Sequence, residues 1–297
     1  MSVPFDSRRA QFLIDSLKPE RLTRIVDIGA NPINDCPYGD LLAIGGCEVV
    51  GFEPQKEALE ELLKSKGPNE TYLPYAVGAG EVSQLNITLQ SGFTSLLEPN
   101  PEAIAFLGRY SRGMRVTETL DIETKRLDEI EELPDFDLLK IDIQGGERDV
   151  FRSGFNKLRA ALSVITEVAA IPLYKDQPLI DSQMSSLRSL GYHLHKFLFL
   201  EDVRINNAIS SALPPRFFKS QLTDGDAVFI RDLLNMAEMT DEEVKHLAIL
   251  SDAVFKSFDL VCECLSHLVA RKVINKKVAD AYVQMVLDPE NIKETEK

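Results

Sequence analysis

Short apolar runs of strand length alternate with runs of helical period along most of the chain. Ser7 to Leu17 carries Phe12, Leu13, Ile14 and Leu17 at helical spacing, with Pro19 as its stop. Arg24 to Ile28 and Glu48 to Phe52 are β-branched runs that end near the carboxylates Asp27 and Glu53. Between them Asp40 to Ile44 reads as a short helix that leaves through Gly45-Gly46, and Gln55 to Lys64 as an amphipathic helix closed by Gly67-Pro68. Thr71 to Val77, Gln84 to Leu89 and Arg115 to Leu120 are strand candidates, while Ser91 to Leu97 is a loop rich in hydroxyls. Leu138 to Ile143 is the strongest buried strand, followed by Gln144-Gly145-Gly146-Glu147 and a short helix over Arg148 to Phe151. Leu162 to Val168, which carries Glu167, and then Tyr192 to Leu200 and Ala227 to Ile230 complete the strands, with a helix over Ser182 to Leu190 closed by Gly191. Strands alternating with helices predict an α/β fold, a parallel sheet covered on both faces, with ligands at the carboxyl ends of its strands.

From about Asp232 the pattern becomes purely helical, which divides the chain into 1–231 and a helical extension, 232–297. Thr240 and Glu243 form a capping box, and Val244, Leu247, Ser251, Val254, Phe258, Val261, Leu265 and Leu268 then recur as a heptad-like seam. Asn275 caps a further helix through Val278, Tyr282 and Met285, which makes a helical hairpin. Such a seam predicts dimerisation with a second copy, a cap over the acceptor site, or packing on the first domain.

Composition narrows the function. With 44% hydrophobic residues the chain can bury a core, and no apolar run approaches the roughly 18 to 20 residues needed to span a bilayer. The N-terminus lacks the apolar segment of a signal peptide, so a cytoplasmic protein is expected. A formal net charge of −14 counts against nucleic acid as substrate. Cys36, Cys47, Cys262 and Cys264 form no C-x-x-C pair and read as reduced thiols, with Cys262 and Cys264 on different sides of a helix. His193, His195, His246 and His267 show no metal-ligand spacing.

The candidate chemistry lies at the strand ends. A strand, loop, helix and strand with an acid at the second tip is how open parallel sheets hold an adenosine-type ribose. A dinucleotide site needs G-x-G-x-x-G for its pyrophosphate, whereas Val26-Asp27-Ile28-Gly29-Ala30-Asn31 keeps one glycine. Asn31 tolerates a left-handed backbone, so a tight turn remains without a phosphate cradle. That combination suits S-adenosylmethionine and counts against an NAD-dependent oxidoreductase. Asp142, Glu147 and Glu167 converge near one edge and are the candidates for a catalytic base. A structural alternative has Glu147 satisfying backbone N–H groups at the helix start and Glu167 salt-bridged at its strand end. A divalent ion on these carboxylates is conceivable but not favoured, because no ligand spacing is clear.

The chain resembles the FkbM family of class I S-adenosylmethionine-dependent methyltransferases over roughly residues 20–200. The resemblance is carried by Val26-Asp27-Ile28-Gly29-Ala30-Asn31, Val50-Gly51-Phe52-Glu53-Pro54, Thr94-Ser95-Leu96, Thr119-Leu120, Arg126-Leu127-Asp128 and Leu138-Leu139-Lys140-Ile141-Asp142-Ile143-Gln144-Gly145-Gly146-Glu147. Gln144 stands where many relatives have Glu, and residues after about 232 have no counterpart in the family core. The resemblance implies a Rossmann-like methyltransferase sheet that O-methylates a hydroxyl of a small molecule or sugar-containing intermediate. It places Asp27, Gly29, Ala30 and Asn31 near the methionine portion of the cofactor and Glu53 on the ribose hydroxyls. Pro54, Ala76 and Val77 would flank adenine, Thr94 and Ser95 would lie near the amino-acid end, and Asp142 would touch cofactor or acceptor. A binding or assembly protein that kept this fold is the alternative of a different class.

Overall fold

The structure is a computed structural model that describes residues 4–31, 36–214 and 217–288. In chain order its first half contains α1 (Ser7–Leu17), β1 (Thr23–Ile28), α2 (Gly39–Ala43), β2 (Cys47–Phe52), α3 (Lys56–Ser65), β3 (Glu70–Leu73), β4 (Ala76–Val77), β5 (Val82–Thr88), α4 (Pro101–Leu107) and β6 (Val116–Lys125). The second half contains β7 (Leu138–Ile141), α5 (Glu147–Ser153), α6 (Phe155–Ala160), β8 (Ser163–Ala169), α7 (Ile180–Ser189), β9 (Tyr192–Val203), β10 (Gln221–Arg231), α8 (Asp241–Ala253), α9 (Phe258–Ala270) and α10 (Lys276–Val286). The fold is the α/β class expected from the alternation.

Seven strands form the main sheet in the order β3-β2-β1-β7-β8-β10-β9. The first five run parallel, and β10 is antiparallel to both β8 and β9. The chain reverses its direction of travel through the sheet between β1 and β7, and a crevice opens at such a switch point beyond the carboxyl ends. A second, three-stranded sheet, β4-β6-β5, stands beside that crevice.

Alternate residues of the strands feed two cores. Ile25, Leu138, Ile165 and Val228 pack under α1, α2 and the C-terminal helices, while Val26, Leu139, Val164 and Phe229 pack under α5, α6 and α7. A third cluster, with Leu107, Met114, Leu173 and Tyr174, joins the segment around α4 to the loop after β8. No helix among the described residues is long and apolar enough to cross a membrane.

Several elements differ from the reading of the pattern. Thr71 to Val77 divides between two sheets, because Pro74 has no N–H to continue a ladder. The last strand extends back to Gln221 and pairs antiparallel, which the short apolar core of Ala227 to Ile230 does not announce. Helix α4 was not anticipated, although Asn100 accepts from the N–H groups of Glu102 and Ala103 and Pro101 opens the helix. The seam after Thr240 bends between α8 and α9, where Lys256 has φ +53°. Its residues Val244, Leu247, Ser251, Val254, Val261, Leu265 and Leu268 are buried within this chain, against α1 and the sheet face. The capping box of Thr240 and Glu243 and the Asn275 cap of α10 both form.

A buried ion pair ties these helices together. Arg9 Nε donates to Asp252 Oδ1 at 2.6 Å, both side chains are fully buried, and the Tyr282 hydroxyl donates to the same oxygen at 2.8 Å. The Arg9 guanidinium lies 4.7 Å from the centre of the Phe258 ring, so α1, α8, α9 and α10 share one polar junction. Removing one partner leaves the other charge buried and unpaired, whereas removing both does not. Asp252→Ala is therefore expected to destabilise the protein by about 3–5 kcal/mol in urea denaturation. A double variant, Arg9→Met with Asp252→Leu, should lie closer to the wild type than Asp252→Ala does.

Candidate functional site

The site begins with Gly29, where β1 turns out of the sheet at φ +83°. A Cβ there would stand 2.1 Å from the carbonyl oxygen of Asp142 and 3.2 Å from Ile143 Cγ2, so the exit of β7 passes where any other side chain would begin. Asp142 N–H donates to Ile28 O at 3.1 Å, and Gly29 N–H and Ala30 N–H both donate to Phe52 O at 3.1 Å. The ends of β1, β2 and β7 are thereby stitched to one another.

Beyond these ends opens a cleft with about 730 Å³ of empty space, part of it open to solvent. Of the residues expected to hold a cofactor, nine line it: Gly29, Asn31, Glu53, Pro54, Ala76, Val77, Thr94, Ser95 and Asp142. Ile28, Phe52, Leu85 and Ile143 supply apolar wall, and Tyr75 and Gln144 also line it. Apolar walls with a few converging polar groups are the usual make-up of a small-molecule site.

Glu53 is 3% exposed, and its Oε1 accepts from Gln55 N–H at 2.7 Å. Burial pushes its carboxyl up to about 7, the Gln55 bond acts against that, and Asp27 adds to it. Ionised, this carboxylate can accept from two hydroxyls. An adenosine-type ligand therefore fits: a buried acceptor with no ion-pair partner among the described residues, a glycine where a Cβ would collide, and apolar surface between them.

Asp27 and Ala30 do not line the cleft. Asp27 sits beneath the loop, accepting from the Tyr38 hydroxyl at 2.6 Å and pairing with Lys140 Nζ at 3.1 Å across the β1–β7 ladder. Burial alone would lower the Lys140 ammonium, yet Asp27 and then Asp142 hold it above its ordinary range. Thr94 and Ser95 line the cleft and also brace it. Thr94 Oγ1 accepts from Thr88 N–H at 3.3 Å, while the Ser95 hydroxyl donates to Gln144 O at 2.7 Å and accepts from Leu97 N–H at 2.9 Å.

The three candidate bases separate. Asp142 lines the cleft. Glu147 opens α5 and is buried; its Oε1 accepts from Ile143 N–H at 3.1 Å and Gly145 N–H at 3.0 Å. These N–H groups precede the helix, so the carboxylate braces the turn before α5 rather than capping the helix itself. Burial pushes this group up to about 7, with the backbone bonds opposing. Glu167, on β8, stands one strand over from Asp142, and Gln144 Nε2 bridges Asp142 Oδ1 at 2.8 Å and Glu167 Oε2 at 3.0 Å. Burial, then Asp142, Glu147, Asp224 and Asp226, raise Glu167 well above the ordinary carboxylate range.

Asp224 and Asp226 on β10 extend this row, and sequence reasoning missed them. They lie opposite Ala169 and Glu167, and burial before all else pushes each up to about 6. Their period of two with Val228 was the available signal. Gln144 and Tyr174 were missed as well; the Gln144-Gly145-Gly146 turn marked the place but not the contact. Among the described residues no group of three or more His, Cys, Asp or Glu side chains is arranged to hold a metal ion.

Solved structures similar to this chain include magnesium protoporphyrin IX methyltransferase from Synechocystis PCC 6803 with bound SAM, at 12% identity and TM-score 0.38, covering 76% of this chain and 77% of that one. Precorrin-6y C5,15-methyltransferase from Geobacter metallireducens GS-15 is similar at 11% identity and TM-score 0.35, covering 77% and 90%. An S-adenosylmethionine dependent methyltransferase from Mesorhizobium loti is similar at 14% identity and TM-score 0.36, covering 72% and 94%. No curated protein sequence matches. The family description "Methyltransferase FkbM domain" matches residues 27–194, more than half of the 297 residues, and the chain belongs to the FkbM methyltransferase family.

Proposed function

We propose that this methyltransferase uses S-adenosylmethionine to methylate a hydroxyl of a small molecule or sugar-containing acceptor. One observation carries the cofactor part: Glu53 and Asp142, at the tips of strands on either side of β1, line the same cleft with Gly29 between them. When bound there, the cofactor supplies a methyl group on a positively charged sulfur. The chain's residues do the rest. Glu53 accepts from the ribose hydroxyls, Pro54, Ala76 and Val77 give adenine an apolar berth, and Asp142 meets the amino-acid end or the acceptor. Holding an acceptor oxygen in line with the methyl carbon is the main catalytic demand. Glu167 is the group we assign to take the acceptor proton, because its raised affinity for a proton suits a general base. Glu147 braces the Ile143–Gly145 turn that carries Asp142. The four cysteines are all unpaired, which agrees with a reducing cytosol as the protein's location.

Three outcomes test this reading. In titration calorimetry the wild type should bind S-adenosylmethionine and not NAD, and Glu53→Ala should weaken binding about 100-fold, the loss of two hydrogen bonds to a charged group. Because the ribose hydroxyls favour ionised Glu53, affinity should be full above pH 7 and fall as the pH drops through the value of about 7. With an acceptor found by screening for S-adenosylhomocysteine release, Glu167→Gln should lower the transfer rate about 10²- to 10⁴-fold while cofactor affinity stays within a few-fold.

A further inference from the structure

We propose that Gln144 is a positioning residue, whose neutral amide locks Asp142 and Glu167 into one fixed carboxylate pair beside the cofactor cleft. The inference rests on the methyltransferase reading of that cleft and goes beyond it, because it concerns the residue that joins the two acids.

Gln144 has an unusual backbone for a side chain of its size: φ is +59°, the region that favours glycine, and Gly145 follows at +106°. A residue without a side chain would suit this turn better, so the amide must justify its place by what it touches. Its Nε2 has two protons, and the two acceptors within reach are Asp142 Oδ1 at 2.8 Å and Glu167 Oε2 at 3.0 Å. Its Oε1 accepts from the Tyr174 hydroxyl at 2.9 Å, a proton Tyr174 also directs at Phe93 O, 3.0 Å away. The reverse orientation of the amide would set its oxygen against two carboxylates, so these partners define which end is which. The Ser95 hydroxyl fixes the backbone of the same residue by donating to Gln144 O at 2.7 Å.

Two consequences follow for the site. With Oδ1 of Asp142 engaged, Oδ2 is the oxygen left for a ligand. The bond donated to Glu167 Oε2 also favours the ionised form of an acid whose burial and acidic neighbours otherwise raise its proton affinity. Glu167 faces Asp142 just after β7, Glu147 on α5, Asp224 and Asp226 on β10, and Tyr174 after β8, while Lys140 faces Asp142 and Asp226 from β7. Within that surround the Gln144 amide is the donor set directly between the two acids. Neutral itself, it joins them without cancelling the charge of either. It also links the pair to the Ser91–Phe93 turn through Tyr174, so the wall of the cleft and the carboxylates are held by one side chain.

The test reads the protonation of Glu167 on the full-length protein alone, by carbon-detected NMR of carboxyl-labelled Glu, with the resonance assigned through Glu167→Gln. Gln144→Leu removes both donors, and the Glu167 titration should move up by one pH unit or more. Gln144→Glu keeps the size and adds a third acid, so its shift should be larger in the same direction. Tyr174→Phe frees the amide oxygen and should give a smaller upward shift, which keeps the test available if a Gln144 variant does not fold. A Glu167 titration that stays within a few tenths of a pH unit in the folded variants overturns the proposal. Failure of the methyltransferase reading would be seen elsewhere, as absence of S-adenosylmethionine binding by the wild type.

Discussion

The close pass between Gly29 and Asp142 is the constraint on which the rest of the site depends. Two strands adjacent in the sheet but about 110 residues apart in the chain must leave it side by side, and the backbone of one occupies the space of a Cβ on the other. Once glycine permits this, the N–H groups of Gly29 and Ala30 both reach Phe52 O, which draws in the end of β2 and sets Glu53 in the cleft wall. The Asp27–Lys140 pair lies directly beneath and holds the same two strands in register. An ion pair largely removed from solvent is poor as a source of net stability, but it disfavours any register that would leave either charge alone.

Above that pair the electrostatics turn acidic. Asp142 follows β7, Glu167 lies on β8, and Asp226 and Asp224 lie on β10 opposite Glu167 and Ala169, while Lys140 faces Asp142 and Asp226. Crowding and burial raise the proton affinity of Glu167, Asp224 and Asp226. Buried, crowded acids of this kind hold their protons more tightly than exposed carboxylates do. The amide of Gln144 gives the row its geometry, and the turn braced by Glu147 gives Gln144 its backbone.

The C-terminal helices serve this arrangement from a distance. They cover the sheet face that carries Ile25, Leu138, Ile165 and Val228, and they share their core with α1. A seam with heptad-like spacing is compatible with a partner helix in a second chain or with a layer of the same chain. Here the layer is internal, and the buried Arg9–Asp252–Tyr282 junction holds α1, α8 and α10 in their relative positions.

Much of this was legible in the sequence, for reasons that differ by residue. Strand runs such as Leu138 to Ile141 declare themselves because a buried parallel strand is apolar on both faces, and Asn275 and Thr240 declare helix starts because their side chains satisfy local N–H groups. Gly29, Glu53 and Asp142 were readable because each stands at the end of such a run, where the fold class puts its ligands. The direction of β10, the division of Thr71 to Val77 between sheets, and the bend in the seam depend on which strand or helix each segment meets. So does the separation of Glu147 from Glu167: both are strand-end or turn acids in the sequence, yet one turns back on N–H groups four and two residues before it while the other meets an amide 23 residues away in the chain. By itself the sequence determined most of the elements, the single-glycine loop and the acid at the tip of β2, because these rest on local periodicity and local chemistry. Only the tertiary structure decided that Gln144, Tyr174, Asp224 and Asp226 gather around Asp142 and Glu167, since their contacts join strands and loops that the chain order keeps apart.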